Sequence, residues 1–208
     1  VATEGSETTA GLDAIVLAAG RGSRFGGGKL LAPWRDGVLL DGALATAFAA
    51  PARSVLVVWG ADPAVRDAAA AFARAKGDEP RLALVHAPRF ADGLSASLKA
   101  GVVALAANSA GAFVFLGDMP RISPAVPLAL ALALALKPSV QAAAPTFSGR
   151  RGHPVLFGRG LLPDLETLRG DQGAGPLLKT LGDALALVPA TDDGVLYDVD
   201  RREDLDGA

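Results

Sequence analysis

Cysteine is absent from the 208-residue chain, so neither a disulfide framework nor thiolate metal ligation is available to it. That absence suits a reducing compartment, and a cytoplasmic protein is expected. Aromatic residues make up only 5% of the sequence while half of it is hydrophobic, which predicts a core filled by Ala, Leu and Val without many large rings. Basic residues are not in excess: 20 Lys and Arg against 22 Asp and Glu leave a formal charge of −2. Such a balance gives no general attraction to a nucleic-acid backbone and leaves only a small anion in a local basic pocket. Histidine is scarce, with two in the chain, so few imidazoles are available for acid–base work.

A hydrophobic run long enough to cross a membrane is also missing. The longest, AVPLALALALAL from Ala125 to Leu136, would extend roughly 18 Å as a helix at about 1.5 Å per residue, against a hydrocarbon core of about 30 Å. Leucine at alternate positions imitates a strand, but Ser123 and Pro124 ahead of the run supply an N-cap and a first helical residue. A buried helix is predicted there. The first eleven residues, VATEGSETTAG, have neither the basic start nor the apolar core of a secretory signal. They read as a disordered tail, which leaves 12–208 as one domain.

Six short apolar runs read as strands: Asp13–Leu17, Ser54–Val58, Arg81–Val85, Ala112–Leu116, Val140–Ala144 and Val155–Phe157. Between the first four lie alanine-rich stretches, Leu40–Ala49, Pro63–Lys76 and Gly93–Ala107, whose length and composition favour helices. This alternation predicts βαβ units, hence an α/β single-domain fold with a mainly parallel central sheet flanked by helices on both faces. After Ala144 the rhythm breaks into a Gly-, Arg- and Pro-rich segment, so the C-terminal third is expected to depart from simple alternation.

Directly after the first run stands LAAGRGSRFGGGKL, Leu17 to Leu30, with five glycines and three cationic side chains. An open α/β sheet places its ligand loops at such strand ends. A dinucleotide fingerprint fails because Phe25 occupies the third glycine's place. A Walker A loop fails because Leu30 replaces the hydroxyl and Ser23 the first glycine. What remains is either a flexible solvated loop or one whose backbone N–H groups approach a polyphosphate with Arg21, Arg24 and Lys29 as charge partners.

Other segments carry chemistry less distinctly. FLGDMP, Phe115 to Pro120, ends a strand with Asp118, either a turn residue or a hard oxygen ligand. In YDVD, Tyr197 to Asp200, an extended backbone would put Asp198 and Asp200 on the same side, where two carboxylates favour a cation; an acidic turn capping a following helix is the alternative. Arg150, Arg151 and His153 gather in SGRRGHPVLFG, as a solvated loop or as a wall receiving an anionic acceptor. Ser95 and Ser97 open the helix of DGLSASLKAG, where capping is the plainer role. His86, without neighbouring acids, reads as structural.

LAAGRGSRFGGGKLL resembles the signature of the MobA-like nucleotidyltransferases. The resemblance continues, in the family's order, through KLLAPWRDGVLLDGALATAF, DGLSASLKAGV, LGDMP, GHPVLF, GDQGAGPLL and YDVDRREDL. Within the family these blocks are most similar to molybdenum cofactor cytidylyltransferases. The resemblance implies a Rossmann-like fold of the nucleotide-diphospho-sugar transferase type. It also implies Mg²⁺-dependent transfer of CMP from CTP to the phosphate of the molybdenum cofactor (molybdopterin), with release of pyrophosphate. The N-terminal part then binds the nucleotide and the C-terminal third the acceptor.

Residue by residue, the resemblance places Leu17, Ala18, Ala19, Gly20, Arg21, Gly22, Ser23, Arg24 and Lys29 around the triphosphate, with Ser95 and Ser97 beside base and ribose. It makes Arg24, Lys29 and Asp118 catalytic, and Asp118 and Asp200 the Mg²⁺ ligands, with Asp198 the alternative to Asp200. Arg150, Arg151 and His153 fall at the acceptor, and a client molybdoenzyme is the implied partner, with no nucleic acid and no membrane. Relatives acting on sugar phosphates or other small alcohol phosphates share the first loop. A noncatalytic carrier of the pterin cofactor is the rival from another class, which the retention of Lys29 and Asp118 opposes. Gly175 departs from the pattern, since many relatives carry arginine there; Ala19, in LAAG where GTP users read LAGG, points to CTP.

Overall fold

Every residue of the strand Leu12–Ala18 is buried, a pattern that belongs to an interior strand covered on both faces. In the computed structural model, which describes residues 11–207, this is β1 of ten strands. The others are β2 (Pro33–Trp34), β3 (Gly37–Val38), β4 (Val55–Trp59), β5 (Leu82–His86), β6 (Gly111–Leu116), β7 (Ala142–Phe147), β8 (Arg150–Arg151), β9 (Val155–Gly158) and β10 (Leu185–Pro189). The α-helices are α1 (Leu39–Ala49), α2 (Pro63–Lys76), α3 (Leu94–Val103), α4 (Ala125–Leu136), α5 (Leu162–Thr167) and α6 (Gly175–Thr180).

The main sheet runs β10-β7-β9-β6-β1-β4-β5, with β8 added to β7, and β2 and β3 form a separate hairpin. Pairing is parallel from β6 through β1 and β4 to β5, and again between β7 and β10; β9 runs antiparallel to both β6 and β7. The expected α/β architecture is therefore present, and the expected break in rhythm is the reversal at β9.

Alternation along β1 divides the core in two. Ala14, Val16 and Ala18 pack with Leu40 and Leu44 of α1, Ala69 of α2 and Leu130 of α4. Ile15 and Leu17 face the other way, onto Leu98 and Val102 of α3, Leu165 of α5 and Leu178 of α6. Local chemistry sets the helix ends. Asp62 accepts from the Ala64 N–H at 2.9 Å, Pro63 opens α2, and Gly77 ends it at φ 71°.

Three expectations need correction. The run Ala125–Leu136 is helical, but Leu128, Leu132 and Leu136 form an exposed stripe opposite buried Leu130 and Ala131; a helix of uniform Leu and Ala gives no polar contrast to mark its outer face. Ser123 Oγ does accept from the Ala125 N–H, at 3.4 Å, one residue beyond the expected start. Gly11 belongs to the ordered domain, since its carbonyl accepts from the Ala110 N–H at 2.9 Å; the remainder of the expected tail lies outside the described residues. Finally, the helix expected to reach Ala107 stops at Val103.

Beneath the sheet's other end, Asp13 is 1% exposed. Arg53 donates to it from Nε and Nη2 at 2.9 and 3.1 Å, and Ser54 Oγ at 2.7 Å. Burial pushes this carboxyl up, but hydrogen bonds from Arg53, Ser109 and Ser54, with the Arg53 charge, outweigh it and hold the group below its ordinary value. A depressed folded pKa contributes stability above the unfolded value of about 3.9, and that contribution fades as pH falls through the folded value. Asp13→Asn should therefore cost about 2 kcal/mol in urea unfolding at pH 7, and the gap to wild type should close in acid. An equal gap at both pH values would contradict an ionised Asp13.

Candidate functional site

From β1 the chain builds outward through β4 and β5 on one side and returns with β6 on the other. The carboxyl ends of β1 and β6 thus flank a topological switch point, where open α/β sheets hold their ligands. The glycine-rich loop leaves β1 there and Asp118 follows β6. The Gly117 N–H donates to the Leu17 carbonyl at 2.9 Å, so the two strand ends stay in register.

The loop is folded, not floppy. Gly22, Gly26, Gly27 and Gly28 take φ values of 59, 92, 92 and 63°, and the N–H groups of Phe25 and Gly27 both donate to the Gly22 carbonyl, at 3.0 and 3.1 Å. Phe25 is buried with Trp34, Leu39 and Val199, and buried Leu30 closes the turn Lys29–Leu31. These two apolar anchors fix the backbone that carries Arg24 and Lys29. A Cβ at Gly22 would stand 2.8 Å from Lys29 Cβ, so no larger residue fits without moving the lysine.

A cavity of about 500 Å³ opens over this loop, lined by Leu17 through Ser23, Lys29, Phe90, Gly93, Leu94, Ser97, Asp118 and Asp171. Arg21 lies over the Phe90 ring at 5.4 Å. Of the two serines expected beside the nucleotide, Ser97 lines the cavity. Ser95 is buried on α3, its N–H donating to the Gly170 carbonyl at 3.1 Å and its Oγ without a partner.

The charged residues converge where Lys29 and Asp118 line the cavity; Arg24 and Asp200 join them from outside its lining. Lys29 Nζ lies 2.6 Å from Asp118 Oδ2 and 3.7 Å from Asp200 Oδ1, and Arg24 Nη1 donates to Asp200 Oδ2 at 2.9 Å. The Val199 N–H donates to the Asp118 carbonyl at 3.0 Å, and its side chain is buried beside Phe25. That inward Val199 turns Asp198 and Asp200 outward, as an extended YDVD requires. Burial, then the charges of Asp118 and Asp200, pushes the Asp198 carboxyl up. The turn-capping role belongs to Asp204, whose Oδ2 accepts from the N–H groups of Asp200 and Arg201 at 2.8 and 2.6 Å.

This donor set fits a hard divalent cation that arrives with phosphates. Two carboxylates already converge on one positive charge, the Lys29 ammonium, and among the described residues no three His, Cys, Asp or Glu side chains gather into a protein cage. Mg²⁺ is commonly held in this way, by one or two carboxylates completed by phosphate oxygens and water.

A narrower cavity of about 180 Å³ adjoins through the shared Leu17, Leu94 and Leu116. Its walls are mainly apolar, including Leu98, Val114, Val155, Phe157 and Leu178, with Arg151, His153 and Gln172 as polar members. Burial holds the His153 imidazole below its ordinary pKa, and its Nδ1 is buried without a hydrogen-bond partner. Arg150 is exposed on β8, outside that lining. At Gly175 a Cβ would meet nothing within 4 Å, so packing does not impose the glycine. His86 stacks on Trp59 at 4.3 Å, away from both cavities. Phe90 and Asp171 were not legible as site residues, since the topology brings them to the cavity from distant segments; the strand end before Phe90 was the one local signal.

An open sheet with a cationic glycine loop and a strand-end carboxylate at its switch point suits a phosphate-bearing ligand, and the family match makes the class a nucleotidyltransferase. The chain belongs to the MobA-like NTP transferase family, whose domain it matches over residues 14–185. It is 28% identical to the molybdenum cofactor cytidylyltransferase of Escherichia coli (strain K12), over 71% of this chain and 70% of that protein. It is 31% identical to the nicotine blue oxidoreductase of Paenarthrobacter nicotinovorans, over 92% and 93% respectively. Among solved structures, the manganese complex of Rv0371c from Mycobacterium tuberculosis H37Rv superposes with a TM-score of 0.74 at 25% identity, covering 95% of this chain and 99% of that one. No helix of the described residues is long and apolar enough to cross a membrane.

The loop geometry is testable at Gly22. A Cβ there is strained by about 1–2 kcal/mol and displaces Lys29, so Gly22→Ala should weaken triphosphate binding roughly tenfold while the circular dichroism spectrum stays native. Unchanged affinity in titration calorimetry would place the phosphates elsewhere.

Proposed function

We propose that this protein transfers CMP from CTP to the phosphate of the molybdenum cofactor, molybdopterin, and releases pyrophosphate. The observation that carries the reading is the chain of ion pairs through Arg24, Asp200, Lys29 and Asp118, the last two of which line the cavity over the glycine loop. A phosphate monoester has its second pKa near about 6, so the attacking dianion exists at neutral pH without a general base. The imidazole nearest the reaction, His153, is held neutral by burial, consistent with a binding role.

The loop backbone and Arg21 would then orient the triphosphate, and Arg24 and Lys29 would neutralise the charge that grows on the departing pyrophosphate. Asp118 and Asp200 would hold Mg²⁺, which when bound supplies charge neutralisation on phosphate oxygens. Ser97 and Ala19 lie where the nucleoside would rest. The acceptor would enter beside Arg151 and His153. Apolar walls there would give a planar ring a face to lie on, with Arg151, His153 and Gln172 as the polar groups that would meet its edge. A carrier without chemistry would have no use for the Lys29–Asp118 contact. The cytidylylated product would pass to a client molybdoenzyme, and the E. coli relative's name supports the acceptor's class.

The test is to incubate the protein with Mg²⁺, molybdenum cofactor and CTP or GTP, and to measure pyrophosphate. Asp118→Asn should fold normally and lose about a hundredfold in turnover or more; retention above about a tenth would remove Asp118 from the chemistry. CTP should exceed GTP. Ala19→Gly should erode that preference without reversing it, since one methyl discriminates by only about 1–3 kcal/mol. GTP used as well as CTP would overturn the cytidylyl assignment and leave the nucleotidyltransferase standing.

A further inference from the structure

Arg24, Asp200, Lys29 and Asp118 form a continuous chain of ion pairs, and its burial is graded. The side chains of Lys29 and Asp118 are 12% and 25% exposed, against 76% for Arg24. The inner contact is therefore sheltered from solvent screening, and the outer one is not. Lys29 has no freedom in its backbone, which is pinned between Gly28 at φ 63° and buried Leu30. Its freedom lies in the flexible side chain, a compact charge on a four-carbon stem.

We infer that Lys29 is a stand-in cation. Without nucleotide its ammonium, together with Arg24 on the outer side of Asp200, neutralises Asp118 and Asp200, and it yields them to a divalent ion when a triphosphate offers it another anion. This rests on the reading of Asp118 and Asp200 as the metal ligands. The consequence follows from counting charges. A metal ion arriving alone displaces Lys29 and strands a sheltered ammonium. A triphosphate arriving alone draws Lys29 from Asp118 and Arg24 from Asp200 and strands two adjacent carboxylates. When both arrive, the partners exchange and no charge is left uncompensated. Each ligand then raises the other's affinity by the same factor, as linkage requires, and the metal site assembles only with substrate in place.

Mn²⁺ binding to the whole nucleotide-free protein, read as loss of the free-ion signal in electron paramagnetic resonance, tests this without reference to activity. Lys29→Met keeps the apolar stem and removes the charge, and it should bind Mn²⁺ on the order of tenfold more tightly than wild type. Arg21→Met removes a charge from the same loop, but from a guanidinium stacked over Phe90, and should change Mn²⁺ affinity far less. Reciprocally, Asp118→Asn should bind CTP more tightly than wild type in the presence of EDTA. If Lys29→Met binds Mn²⁺ no better than wild type, or no better than Arg21→Met, the stand-in role is overturned. Adding Asp118→Asn to Lys29→Met should abolish the gain. A double variant that keeps it would show the ion held elsewhere, and the ligand assignment itself would fall.

Discussion

The contact between Lys29 Nζ and Asp118 Oδ2 spans the switch point of the sheet, joining the loop that leaves β1 to the turn that leaves β6. Much of the surrounding structure exists to make that approach possible. The glycines at positive φ fold the loop back, Phe25 and Leu30 anchor it, and the space beside Gly22 is reserved for the lysine stem. From the opposite side, the Val199 N–H grips the Asp118 carbonyl and delivers Asp200 to the same ammonium. Three chain segments far apart in sequence thus meet at one positive charge. A site built this way is electrostatically balanced before any ligand arrives, and binding becomes an exchange of partners.

The two halves of the molecule are built on different physics. The larger cavity is bordered by the ion pairs of Lys29 and rests on the parallel part of the sheet. The adjoining cavity is walled by Leu94, Leu98, Val114 and Phe157 and borders the antiparallel strand β9. On the proposed reading, a cationic loop that binds phosphates would be indifferent to what lies beyond them, and specificity for the acceptor would have to come from the second half. The chain is similar both to a cytidylyltransferase and to a protein named as an oxidoreductase, so named activities diverge among proteins that resemble it. In this chain the smaller cavity has its own marks: the unpartnered Nδ1 of His153 and the open space at Gly175.

Much of this could be read from the residues because the signals are local. β1, β4 and β6 are dense apolar runs, and α2 is bracketed by Asp62, Pro63 and Gly77. The glycine loop and Asp118 stood out because each directly follows a strand. What escaped was long-range or low in contrast. β10 was missed because LALVP continues an alanine- and leucine-rich segment, and β8 because two residues cannot show a period. The exposed face of α4 was hidden by its uniform composition. Asp171 reaches the larger cavity through a contact of its Oδ1 with the Leu94 N–H, at 3.3 Å, which no local pattern announces. The alternation of YDVD is legible, but it puts Asp198 and Asp200 on one side, and only the fold brings Asp200 to Lys29 and Arg24.

The most direct test of the partner exchange is a crystal structure with Mn²⁺ and a non-hydrolysable CTP analogue, the metal located by its anomalous scattering. The account predicts the ion between Asp118 and Asp200, with Lys29 Nζ withdrawn from Asp118 onto a phosphate oxygen. An ion bound away from these two carboxylates, with Lys29 still on Asp118 and the analogue in the cavity, would contradict it.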